Sequence, residues 1–226
     1  MPVAGYWNWR TAKPLKSKPL GGKVDWNAFL GPANWKPFDP TRFRAWRYFW
    51  DYSGGNCTDQ GTHLMDVIQW FMNSGPPRSA SCHGDVYEMV GAETPDVLAA
   101  VFEYEDFLAT WSLNYLSTDD HGWNIRFLGK DATLWLDNLG TRLIPTKEKG
   151  VPYTRENKAA PSKEIIGRVG ENQHVPNFLD CIRTRKQPNA PVEIGHEAVC
   201  GPHLANVAYH HKTQARLSKD ATRVSV

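Results

Sequence analysis

Three side chains in one short stretch have the types and spacing to move a proton. They are Asp59, His63 and Asp66, in the segment WDYSGGNCTDQGTHLMDVIQWFM that runs from Trp50 to Met72. On an α-helix, at about 100° per residue, Asp59, His63, Asp66 and Trp70 share one face within about 60° of one another. A carboxylate four residues before a histidine is spaced to meet it. The helix macrodipole favours an ionised Asp59 in the first turn and disfavours a protonated His63, while Asp59 itself favours the imidazolium. Such a balance leaves a histidine able to accept a proton near neutral pH. The plainer reading is the solvated face of an amphipathic helix, and spacing alone favours that one.

The helix that must carry these residues is delimited by its own sequence. Gly54 and Gly55 end an aromatic segment, and Asn56 or Thr58 can cap the amides of a first turn beginning near Thr58. Leu64, Met65, Ile68, Phe71 and Met72, with the side-chain-less Gly61, fall on the opposite face and define its core side.

Gly-Gly followed by Asp-x-x-x-His-x-x-Asp and an aromatic pair closely resembles the central motif of the Gfo/Idh/MocA oxidoreductases, the relatives of glucose-fructose oxidoreductase and inositol dehydrogenase. The likeness is to their C-terminal, substrate-binding domain. VDWNAFLGPA…RYFWDYSGGN is similar to a bacterial subgroup, and HVPNFLDCIRTRKQPNAPVEIGHEAVCGPHLANVAYH to the end of the same domain. The resemblance therefore spans the chain from about Gly5 to about Leu217. It implies that Asp59 and His63 stand at the family's catalytic positions and that Asp66 joins the substrate-binding candidates. Asn8 stands where an inositol dehydrogenase-like enzyme carries a substrate-binding Asn, with Tyr6 two places before it. His121 stands where members put a substrate-contacting tyrosine, and Trp123 beside it is taken as a further substrate-binding candidate.

From the residues themselves, Thr41 to Trp50 brings Arg42, Arg44 and Arg47 together with five aromatics. Arginines interleaved with aromatics can grip a polyol or an anionic substrate, or stack in a packed loop, and Arg47 is the candidate carried forward. Six of the ten tryptophans lie in the first fifty residues, where flat rings suit sugar faces as well as cores.

A chain of 226 residues with 41% hydrophobic residues can bury a core as one domain. The formal charge of +2, from 26 basic and 24 acidic residues without segregation, gives no nucleic-acid footprint. No apolar run is long enough for a bilayer, and no charged-then-apolar leader pattern opens the chain. Compartment stays open: a cytoplasmic location is the default, and a periplasmic one is possible if the full gene carries a signal. Cys57, Cys82, Cys181 and Cys200 are too scattered for a zinc pattern, so free thiols are expected and no metal site is assigned.

Along the chain, residues 1–50 read as a strand end, GYWNWR, followed by aromatic-rich loops, and 51–73 as the motif helix. Period-two alternation then marks strands near 79–89, 97–104, 107–116, 123–128 and 133–136, with 142–144 behind. Tight connections at Glu105-Asp106 and Gly129-Lys130-Asp131 imply hairpins. The fold class is α+β in two layers, an open, largely antiparallel sheet over 78–145 with helices packed on one face. Residues 147–167 read as an aperiodic excursion. Two helices follow within 171–212, the first burying Val175, Phe178, Leu179 and Ile182. His196, His203 and His210 recur every seven residues, too far apart to share a metal. In the family the open sheet face makes oligomer contacts, which the resemblance implies here too.

No Gly-x-Gly-x-x-Gly follows a strand, and no Glu-Lys-Pro motif, whose lysine completes the family's catalytic set, is present. The resemblance implies that NAD or NADP serves the complete enzyme from a separate Rossmann domain, with none expected to bind this chain alone. The resulting expectation is the substrate half of a nicotinamide-dependent oxidoreductase acting on a sugar or polyol, inactive by itself. The alternatives are a non-catalytic carbohydrate-binding or oligomerisation module and a metal-dependent lyase or hydrolase built on Asp59, His63 and Asp66.

Overall fold

The computed structural model describes residues 1–7, 13–117, 122–137, 140–145, 163–166 and 171–226. The stretches around Asn8 and His121 lie outside them. Ten strands form one sheet in the order β10-β9-β2-β3-β4-β1-β5-β6-β7-β8. They are β1 (Pro2–Trp7), β2 (Ser79–Asp85), β3 (Val97–Glu103), β4 (Leu108–Asn114), β5 (Trp123–Leu128), β6 (Ala132–Asp137), β7 (Gly140–Pro145), β8 (Lys163–Ile166), β9 (Ala215–Leu217) and β10 (Val224–Ser225). The pairings are antiparallel except that β1 runs parallel to β4. The N-terminal strand thus fills the centre of the sheet, where hairpins alone would have placed β4 beside β5.

The strand expectations hold to within a few residues, with two differences. β1 begins at Pro2, ahead of the expected Gly5, and residues 8–10 of the expected strand end lie outside the described residues. Lys163–Ile166, assigned by sequence to the excursion, forms β8 and pairs with β7. Four residues carrying two isoleucines are too short for period-two alternation to show.

The described helices are α1 (Trp26–Leu30), α2 (Pro40–Arg44), α3 (Gly55–Met72), α4 (Glu171–Thr184) and α5 (Val192–His211), with a 3-10 turn at Trp46–Tyr48. α3 packs along α5, α5 covers β2, β9 and β3, and α3 reaches β1 and β4. Alternation sorts the sheet into faces: Leu98, Ala100 and Phe102 of β3 and Ala109, Trp111 and Leu113 of β4 are buried beneath the helices. On the opposite face Val101 and Leu108 are 45% and 49% exposed. Gly61 sets the closeness of the helix layer, since a Cβ there would sit 3.3 Å from both Pro202 of α5 and Trp111 Nε1. A buried polar knot ties the same layer together. Gln69 Nε2 donates to the Glu197 carbonyl at 3.2 Å and to Tyr104 Oη at 3.4 Å, and burial pushes Tyr104 up to about 12.

α4 differs from its expectation. Val175, Phe178, Leu179 and Ile182 are 61%, 57%, 44% and 46% exposed, not buried. The helix has its apolar stripe, but no described element packs extensively against it. Periodicity shows that a helix has an apolar side, whereas burial requires a second surface.

Candidate functional site

The site residues gather where the N-terminal end of α3 meets the ends of β1 and β4. α3 starts earlier than Thr58: Gly54 is its N-cap and Gly55 its first residue, so Asn56 and Thr58 lie inside the first turn. Ser53 Oγ accepts from the Gly55 amide at 3.2 Å, and Asn206 of α5 donates to the Gly54 carbonyl at 2.8 Å. Gly55 has φ +68, and a Cβ there would meet Thr94 Cβ at 2.6 Å. Only glycine therefore fits where the loop after β2 crosses the helix start.

That loop also fixes the 3-10 turn. The Asp96 carboxylate, 1% exposed, accepts from the amides of Tyr87, Glu88 and Met89 at 2.8–2.9 Å. The Glu93 and Thr94 amides in turn donate to the Tyr48 carbonyl at 2.8 and 3.2 Å. Arg47 and Tyr48 are thereby held beside α3.

Arg47 Nε lies 2.8 Å from Asp59 Oδ2, with the side chains 38% and 30% exposed. The contact is an ion pair by proximity and lacks hydrogen-bond alignment at Nε. The Arg47 guanidinium also sits 5.3 Å from the Trp46 ring centroid, and Gln60 donates to the same Asp59 oxygen at 3.3 Å. The spacing argument expected Asp59 to meet His63. Among the described residues no hydrogen bond joins the two, because a full guanidinium charge on the preceding turn takes the carboxylate.

His63 stands one turn further along α3, exposed to solvent, and its electrostatic neighbour is Asp66. Asp66 is exposed overall, yet desolvation by the helix layer raises its carboxyl above the usual range, with His63 pulling it back. Trp70, 77% exposed, continues this stripe into a groove of about 820 Å³ that Asp66 and Glu197 also line.

Below Asp59 lies a group of phenols. Tyr6 and Trp123 are register partners across β1 and β5, so both rise from the helix-covered face. The Tyr6 and Tyr115 rings meet edge-on with centroids 6.0 Å apart. Tyr115 is 2% exposed, and burial pushes its hydroxyl well up; Tyr48 and Tyr6 add to this, Arg47 opposes it and Asp59 adds a little. The structure therefore brings Tyr6, Arg47, Asp59 and Trp123 together, with His63 and Asp66 along the helix above. The sequence reading missed Tyr48 and Tyr115. The signal for Tyr115 was present, since 109, 111 and 113 alternate onto the core face and 115 continues the series.

Among the described residues no cluster of three His, Cys, Asp or Glu can hold a metal. No helix of the described chain is long and apolar enough to cross a membrane. The paired glycines at the start of α3 follow a 3-10 turn, not a strand, so they do not form the strand-turn-helix cradle that holds a dinucleotide pyrophosphate. No cofactor contact is assigned to these residues.

Residues 3–107 match the family model described as oxidoreductase family, C-terminal alpha/beta domain. Over these residues, a little under half of the chain, the sequence is similar to the C-terminal domain of that oxidoreductase family. Solved structures agree on its fold. An oxidoreductase domain protein from Kribbella flavida superposes with a TM-score of 0.66 at 14% identity, over 96% of this chain and 58% of that one. Levoglucosan dehydrogenase, in complex with NADH and L-sorbose, gives 0.64 at 8% identity over 95% and 57%. The WlbA dehydrogenase from Bordetella pertussis, in complex with NADH and UDP-GlcNAcA, gives 0.58 at 13% over 96% and 54%. The chain thus spans a little over half the length of these structures. No curated protein sequence matches it.

Proposed function

We propose that this chain is a Gfo/Idh/MocA-type C-terminal domain, the substrate-binding and proton-transferring half of a nicotinamide-dependent oxidoreductase acting on a sugar, polyol or sugar derivative. The observation that carries the reading is the stacking of roles at one end of α3. Asp59 is held by Arg47 over the Tyr6–Tyr115 pair, and the exposed His63 stands a turn above them. In this reading His63 accepts the proton of a substrate hydroxyl, and Arg47 with the tyrosine hydroxyls and Trp123 orients the ring. Asn8, His121 and Asp66 complete the proposed substrate contacts. NAD or NADP, held by a separate nucleotide-binding domain, supplies the hydride acceptor, and the domain alone is inactive. The solved complexes of levoglucosan dehydrogenase and WlbA with NADH and sugar-type ligands support this reading. A second copy is proposed to pack on the open sheet face, where Val101 and Leu108 are exposed.

Supplying a nucleotide-binding domain in trans, with NAD or NADP and a sugar panel, tests the assignment. Turnover that disappears on His63→Ala supports it; turnover indifferent to that change removes His63 from the chemistry. One observation favours a non-catalytic sugar-binding module instead, namely the engagement of Asp59 by Arg47 and not by His63. Saturable sugar binding without turnover in any reconstitution decides for that reading.

A further inference from the structure

A second groove, of about 550 Å³, lies between the chain segment Lys13–Lys18 and the C-terminal end of α2, within the ~300–1,000 Å³ range of small-molecule sites. Its charged lining among the described residues is of one sign: Lys13, Lys16, Lys18 and Arg44, with no carboxylate. Three acids of the neighbouring segments are already engaged, and Glu88, beside Met89, is exposed. Asp39 accepts from the Thr41 amide at 2.7 Å, Asp51 pairs with Lys36 and Arg42, and Glu93 takes Arg42 and the Trp50 amide. None of the four lining cations has a carboxylate partner among the described residues.

The groove is anchored. The Leu15 amide donates to the Val90 carbonyl at 2.8 Å, and the Leu15 side chain packs against the core, so the lysine-bearing segment is fixed across the floor made by Met89 and Tyr48. Tyr48 is the link to the candidate site. It lines this groove and is also the phenol whose proximity raises Tyr115 beside Arg47 and Asp59.

We propose that this groove binds a multiply charged phosphoryl group, and that it receives the phosphate or diphosphate of a substrate whose sugar ring lies against Tyr6, Arg47 and Asp59. Four unneutralised cations around one concavity match a diphosphate better than a single carboxylate, and focus its field where the low-dielectric wall begins. The assignment of the phosphoryl group to the substrate rests on the sugar-oxidoreductase reading above; the anion site itself does not.

The test is calorimetric titration of the whole chain with inorganic pyrophosphate at low salt. The same titration is run on the combined variant Lys13→Ala, Lys16→Ala, Lys18→Ala, Arg44→Ala and on a control lacking four distant exposed cations, Lys212, Arg216, Lys219 and Arg223. The expected result is saturable binding by the wild type, weakened at least about tenfold in the groove variant and little changed in the control. It should fade as salt approaches about 0.5 M, where the screening length falls well below 10 Å. Amide shifts at Leu15, Thr41 and Tyr48 should locate the ligand, and unchanged circular dichroism should show that the groove variant folds. No saturable binding, or equal weakening in the control, overturns the site. A diphosphate-linked sugar should compete with pyrophosphate where the neutral sugar does not; failure to compete overturns the substrate assignment. Pyrophosphate binding is read without turnover, so its loss and the loss of sugar chemistry in the reconstituted enzyme are separate outcomes.

Discussion

Arg47 and Asp59 form the ion pair that defines the candidate site, with Nε and Oδ2 2.8 Å apart and each side chain about a third exposed. Solvent screening limits such a pair to about 0.2–1 kcal/mol of coupling, and the imperfect alignment at Nε favours the lower end. A double-mutant cycle with Arg47→Ala and Asp59→Asn, measured by urea unfolding, should return a value in that range. A coupling above about 2 kcal/mol would mean that the pair is more enclosed than the structure shows. Sugar affinity should fall more than stability in both single variants.

His63 separates function from folding in the opposite way. Its ring is exposed on α3, so His63→Ala should change unfolding free energy by no more than about 0.5 kcal/mol. In the reconstituted enzyme the same change should lower kcat by about 10²–10⁴, the usual contribution of a general base. Loss of thermal stability matching the loss of rate would make His63 a structural residue.

The two halves of the site differ in how well sequence exposed them. The helix stripe of Asp59, His63, Asp66 and Trp70 was legible because helical period is a local property, and α3 presents it as expected. The partner of Asp59 was not, because Arg47 reaches it from a 3-10 turn positioned by the Tyr48 carbonyl and a distant loop. Tyr6 and Trp123 meet through strand register, which no local pattern encodes. In the sheet the alternating strands were readable, whereas the central parallel place of β1 depends on pairings across more than one hundred residues.

Alkaline pH should weaken the fold in a defined window. Burial pushes Cys82 from 9.0 and Tyr104 from 10.0 up to about 12 in each case. Unfolding returns both to their ordinary values, so between those values and about 12 the unfolded chain sheds protons that the folded one retains. Stability is therefore full below pH 9.0 and falls as pH rises toward 12. Tyr104→Phe should flatten the part of the decline that starts near 10.0, as read from urea midpoints across pH. An unchanged slope in that variant would assign the decline elsewhere.

Thiol chemistry should follow burial. Cys57, Cys82 and Cys200 are buried and none of the four cysteines is bonded to another, while Cys181 on α4 is half-exposed. Burial raises Cys57, Cys82 and Cys200, which also keeps them as unreactive thiols. A thiol reagent at pH 8 should label Cys181 rapidly in the native protein and the other three only with denaturant. Rapid native labelling of Cys57, at 1% exposure, would contradict the packing of α3 on α5.

The sharpest contrast available is between two apolar helices that look alike in sequence. Leu64 of α3 is fully buried, so Leu64→Ala should cost about 2–5 kcal/mol through lost transfer energy and the cavity left behind. Phe178 of α4 belongs to an equally regular apolar stripe but is 57% exposed, with Val175, Leu179 and Ile182 exposed beside it. Phe178→Ala should then cost no more than about 0.5 kcal/mol in the isolated chain, and Phe178→Ser should reduce binding of a hydrophobic dye. A cost for Phe178→Ala approaching that of Leu64→Ala would show that α4 is covered in solution. The unfolding midpoint as a function of protein concentration would then tell a second copy from the same chain, since only an intermolecular cover makes stability rise with concentration.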